Sequence, residues 1–145
     1  MTTPRTSARG ALTAMYGGAV LTVGATLAAF LDRAGLADHV RAGYPEFGQS
    51  QVDEAVTVYT VVLSIVGGLG LIGWLGTIWA ARTGRRWAPW LAGVLFVGAV
   101  CFALAALTVR DTSGDVGLAP RLAWLQVLPC LAGLVAVVLL WRRPR

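Results

Sequence analysis

Lysine is absent from this chain, histidine occurs once (His39), and cysteine occurs twice (Cys101 and Cys130). Each scarcity removes a class of chemistry. One histidine beside scattered carboxylates falls short of the four ligands of structural zinc or the usual three of a catalytic zinc. The two cysteines do not form the C-x-x-C pair expected of a membrane disulfide oxidoreductase. No G-x-S-x-G, H-E-x-x-H, P-loop or Rossmann glycine pattern occurs. Charge is scarce as well: 13% of the 145 residues are charged, roughly half the share of a soluble domain. These gaps argue against an enzyme, and no metal or cofactor is expected.

Apolar residues fill the space instead. They make up 57% of the chain, with a mean hydropathy of +0.69. They gather into four blocks without a charged side chain, at about 11–31, 55–80, 88–109 and 122–141. A bilayer core takes about 20 residues of helix. Helices satisfy their own backbone in lipid, whereas a barrel would need short alternating strands. The sequence therefore predicts an all-α, four-transmembrane-helix antiparallel bundle forming a single membrane domain, 1–145, with an outer loop at 32–54. The first block is too long for a signal-peptide core and lacks a small-residue cleavage site after it.

Orientation follows from arginine. Arg5, Arg9, Arg82, Arg85, Arg86, Arg142, Arg143 and Arg145 fall on one side of the blocks. The other side holds Arg33, Arg41, Arg110 and Arg121 together with all seven acids: Asp32, Asp38, Glu46, Asp53, Glu54, Asp111 and Asp115. Basic short loops mark the cytoplasmic side, so both termini are expected there, in a multi-pass protein of the cell membrane. The net charge of +5 then reads as a topology signal plus attraction to anionic headgroups. A nucleic-acid partner would need a basic folded surface that the sequence lacks. Trp79, Trp87, Trp90 and Trp141 read as anchors at one interface and Trp124 at the other.

Between the blocks, Leu36, Val40 and Tyr44 recur at helical spacing. They predict a short surface helix, broken at Gly43-Tyr44-Pro45. Ser50-x-x-Asp53 reads as a capping pattern for the second span. The basic turn Ala81–Trp87 should make the second and third spans antiparallel neighbours. Pro89 and Pro120 suit first helical turns, and Pro129 should kink the last span.

Small residues mark the expected packing faces, since close approach drives helix association in lipid. These are Gly18 on the first span, Ser64, Gly67, Gly68, Gly70 and Gly73 on the second, and Ala99 and Ala103 on the third. At 100° per residue, Ser64, Gly67 and Gly68 share one face, with Gly70 and Gly73 nearly opposite. Tyr44, Pro45 and Phe47 are the candidate partner-binding residues of the outer loop. Function is then expected to be non-enzymatic, an interaction or accessory subunit whose partners are the lipid bilayer and a second copy or another membrane protein. A passive small-solute permease lined by the glycines of the second span is the alternative. Thiol redox chemistry would require Cys101 and Cys130, at similar depth, to come within bonding distance. Proton-coupled transport lacks the intramembrane ionisable residue it needs.

The outer-loop run Ala42-Gly43-Tyr44-Pro45, the Gln51-Val52-Asp53 entry to the second span, the arginine turn before Trp87 and the ending Val137–Arg143 carry a resemblance. Together they resemble small actinobacterial four-helix integral membrane proteins of unknown function. In architecture the chain is also similar to DoxX-like proteins. The resemblance implies a cell-membrane location and no particular activity.

Overall fold

The structure, a computed structural model, describes residues 4–114 and 117–142, with side chains from Ala8 onward. Asp115, Arg143, Arg145 and the Arg5 side chain of the charge pattern lie outside the described residues. The fold is helical throughout: α1 (Pro4–Leu31), α2 (Arg33–Gly43), α3 (Gln49–Arg82), α4 (Ala88–Thr108), α5 (Pro120–Leu125) and α6 (Val127–Trp141). Four stretches are long and apolar enough to cross a membrane: Ala8–Leu31, Gln49–Arg82, Ala88–Thr108 and Pro120–Trp141. Large apolar side chains stay exposed along their length, among them Val20, Ile65, Leu69, Ile72, Val94 and Val97. A surface of that extent suits lipid and not water.

The helix bounds differ from the sequence reading for identifiable reasons. The first helix begins at Pro4 and not Ala11: proline suits a first helical turn, and Arg9 has good helix propensity. The second span begins at Gln49, taking Asp53 and Glu54 into its first two turns; at 34 residues and 1.5 Å rise it is about 51 Å long. Its cap is not Ser50-x-x-Asp53. Gly48 precedes the helix, and its N–H donates to Gln51 Oε1 at 2.9 Å, placing the capping side chain three residues on. The outer segment 32–54 is therefore mostly helix. Within it α2 buries Leu36 and Val40 completely or nearly so, then ends at Gly43 as the Gly-Tyr-Pro signal requires. The last span breaks at Gln126, three residues before Pro129. Pro129 has no N–H to offer the Leu125 carbonyl one turn earlier, which releases the ladder there.

The turn between α3 and α4 is a Schellman motif. Gly84 at φ +68° lets the Arg85 N–H reach the Ala80 carbonyl at 3.0 Å, closing the exposed helix end with a residue free of Cβ strain. At this end Arg85 lies over the Trp79 ring at 5.4 Å, and Trp90 meets Trp141 edge-on at 4.9 Å.

Two apolar clusters hold the bundle. One, at the α2 end, joins Leu36 and Val40 to Val52, Val56, Leu63, Leu118 and Leu122. The other, near the arginine turn, joins Ala11 and Met15 to Ile78, Ala81, Ala92 and Leu140. Between them α1 is the hub, packed most extensively on α6 and α3. The Trp74 indole lies flat on Gly18, and its Nε1–H donates to Thr22 Oγ1 at 3.0 Å. Thr22 in turn donates to the Gly18 carbonyl at 2.9 Å. An indole N–H in hydrocarbon needs such a partner, since an unpaired one costs several kcal/mol, roughly 2–7 by transfer data.

A Cβ at Gly18 would run into the indole, whereas one at Gly17 meets nothing within 4 Å. Gly18→Ala is expected to destabilise by about 1–3 kcal/mol through overpacking. Gly17→Ala should be neutral or stabilise by about 0.5–1 kcal/mol, because it removes a helix-interior glycine. Thermal unfolding of the two variants in the same detergent checks the contrast.

Candidate functional site

The spans α3 and α4, joined by the tight turn, were expected to lie side by side. They meet at Gly73, where a Cβ would stand 3.2 Å from Leu95, but along much of their length they are parted by a cavity of about 510 Å³. Its third wall is α6, and Thr22 of α1 closes the back. The space follows from residue size. Gly67, Gly70 and Gly73 present no side chain on α3, nor does Gly98 on α4, and Trp74, which lines the space with Val66 and Leu69, lays its ring against Gly18 of α1. No acidic or basic side chain lines the cavity. The hydroxyl of Thr22 is occupied by the Gly18 carbonyl and the indole, and that of Thr77 donates to the Gly73 carbonyl at 2.8 Å. The Gln126 carboxamide, at the helix break, hydrogen-bonds to no other described residue.

The packing residues read from the sequence distribute unevenly. Gly67 meets Thr26 and Gly70 meets Thr22, so both face α1 and not opposite neighbours. Helix geometry explains this: at about 100° per residue Gly67, Gly70 and Trp74 fall within about 60° of one another, so the face that carries Trp74 onto Gly18 carries both glycines onto α1. Gly73 faces α4, while Gly68 is exposed with open space about it. Ser64 is half-buried, and its hydroxyl bonds the Thr60 carbonyl of its own helix at 2.7 Å. Ala103 is buried, but Ala99 is exposed at the cavity. Cys101 and Cys130 are both free thiols; Cys101 is exposed, and Cys130 lines the cavity, with its thiol 3.4 Å from the Gln126 carbonyl.

A second, smaller cavity of about 110 Å³ lies under α2, where His39, Tyr44, Tyr59, Asp111 and Ser113 converge. The loop residues expected to meet a partner are partly used here. Tyr44 stacks on Phe47 at 4.6 Å, and its hydroxyl pairs with Thr112 Oγ1 at 2.7 Å. Both rings are half-buried, and of the three only Pro45 is exposed. Asp111 Oδ1 accepts the Ser113 N–H at 2.8 Å and also the Ser113 hydroxyl. These bonds hold its carboxyl below the ordinary value of 3.8, against the opposing effect of burial.

Trp74, Gln126 and the Asp111–Thr112–Ser113 turn carry most of this geometry, and of these residues the sequence reading named only Asp111, as one of the seven acids. Asp-x-Ser is a recognisable Asx-turn pattern, so that signal was present. Trp74 carried none, because its distance from either interface is legible while the direction of its ring is not. No family model matches the chain, and no curated protein or solved structure is significantly similar to it.

Because the folded-state pKa of Asp111 is depressed, its contribution to docking α2 is complete above the ordinary value. It is lost as pH falls below about 3.8 toward the lower folded value. Amide exchange at Ser113 should therefore be slow and level from pH 7 to 5 once corrected for intrinsic rates, and rise at lower pH. In Asp111→Asn it should be faster and lack that rise.

Proposed function

We propose that this chain is a multi-pass protein of the cell membrane that works by non-covalent association inside the bilayer, as an interaction or accessory subunit and not as an enzyme. Its spans would form an antiparallel bundle with both termini in the cytoplasm. The observation that carries the reading is the cavity between α3, α4 and α6, built from glycine and apolar side chains with no acidic or basic group. Binding there relies on shape and contact, the means by which groups associate in lipid. A permease would need a continuous polar path, and the hydroxyls nearest this cavity are tied to their own helices. The arginine-rich turn and the acid-rich opposite end support the orientation, and Tyr44, Pro45 and Phe47 offer an aqueous contact surface limited by their docking on Thr112.

Mild-detergent extraction after crosslinking in native membranes should recover a homo-oligomer or a complex with another membrane protein. A strictly monomeric, partner-free product would sink the accessory-subunit reading. In a background with both native cysteines replaced, a membrane-impermeant thiol reagent should label Pro45→Cys in intact cells. It should label Thr83→Cys only after permeabilisation; the reverse pattern would invert the topology.

A further inference from the structure

The cavity between α3, α4 and α6 has a definite shape. Its walls run from Val66 to Thr77 on α3, Ala92 to Phe102 on α4 and Gln126 to Val137 on α6, each about 15–17 Å along the helix axis. The volume of about 510 Å³ is spread over that length, an elongated apolar space that suits an extended hydrocarbon chain. The rim residues Leu69 and Val94 are 64% and 68% exposed, so the space opens sideways, through the surface these apolar spans turn to lipid.

One polar side chain on this wall, Gln126, makes no hydrogen bond among the described residues. Gln126 lies at the break between α5 and α6, six residues into the last span, which is about 9 Å below its start at Pro120. At that depth a carboxamide with no hydrogen bond is costly, and nothing with a formal charge lines the cavity to receive an ionic headgroup.

We propose that the cavity binds a single neutral, chain-like lipid drawn from the bilayer, its uncharged hydroxyl or carbonyl paired with the Gln126 carboxamide. The chain lies between Pro129 and Cys130 on the α6 wall and Gly98 on the α4 wall, where a Cβ would meet nothing within 4 Å. This assignment rests on the membrane placement proposed above but not on the accessory-subunit role.

The test uses the full-length protein in phosphatidylcholine nanodiscs with two photoreactive probes, a diazirine-bearing hexadecanol and the matching diazirine hexadecane. Labelled positions are mapped by mass spectrometry. The alcohol should label the α4 and α6 walls over other lipid-facing positions, and unlabelled hexadecanol should compete where hexadecyltrimethylammonium does not. Gln126→Leu should lower alcohol labelling about 5–10-fold, the loss of one hydrogen bond of roughly 1 kcal/mol, while changing alkane labelling less than twofold. Gly98→Leu fills the space from the opposite wall, where a Cβ meets nothing within 4 Å, and should reduce both. Even labelling over all lipid-facing positions would overturn the proposal. So would an unchanged alcohol-to-alkane ratio in Gln126→Leu, or covalent capture of a second copy through these walls. Failure of the membrane placement shows separately, as labelling of the spans by a water-soluble carbene reagent.

Discussion

One hydrogen-bonded indole sets the middle of this bundle. Trp74 is held on Gly18 by shape and on Thr22 by its N–H, and in hydrocarbon neither condition is negotiable. The ring needs a gap that only glycine leaves, and the N–H needs an acceptor that no water supplies. Gly18 meets the first demand and Thr22 the second, its hydroxyl donating back to the Gly18 carbonyl and accepting from the indole. Once α3 is fixed on α1 in this way, Gly67 and Gly70 must also face α1, and Gly73 is left to face α4. Gly67 and Gly70, grouped on different faces in the sequence reading, lie only about 60° apart around the helix and share this face with Trp74.

The cavity is the other side of the same constraint. With the Trp74 ring laid on Gly18 of α1, the glycines at 67, 70 and 73 leave α3 little bulk toward α4 and α6 over the central turns, although Val66 and Leu69 also line the recess. The two apolar clusters tighten the ends of the bundle, so the deficit of volume collects between them. In water such a gap would be closed by hydrophobic collapse. In lipid, hydrocarbon can fill it, and the drive to close it is correspondingly weak. A helix bundle in a bilayer can thus retain a hydrocarbon-sized recess at little cost, provided the backbone around it is satisfied. The one departure, the ladder break imposed by Pro129, places Gln126 beside the recess.

The two ends are finished differently. Near the arginine turn, a tilted and an edge-on pair of tryptophans and a guanidinium over an indole make an interfacial belt, a common way of fixing depth. At the other end α2 is a true cover. Leu36 and Val40 seal the apolar cluster beneath it, while Tyr44, Thr112 and the Asp111–Ser113 turn tie it to the loop after α4.

The amino-acid sequence by itself determined the four apolar spans, the amphipathic segment at Leu36 and Val40, and the absence of acidic or basic side chains from the central turns. These follow from composition and one-dimensional periodicity, which the thickness of a bilayer and the pitch of a helix convert directly into structure. Helix starts were less legible, because a cap such as Gly48–Gln51 competes with several equally plausible polar pairs nearby. Only the tertiary structure decided which neighbour each glycine meets, that α3 and α4 pack near their turn but part over the central turns, and that Tyr44 and Phe47 fold inward. Those outcomes depend on the rotamer of Trp74 and on polar pairs separated by 52 and 68 positions in the chain. Such pairs are fixed by close packing in three dimensions, and no local pattern of residues encodes them.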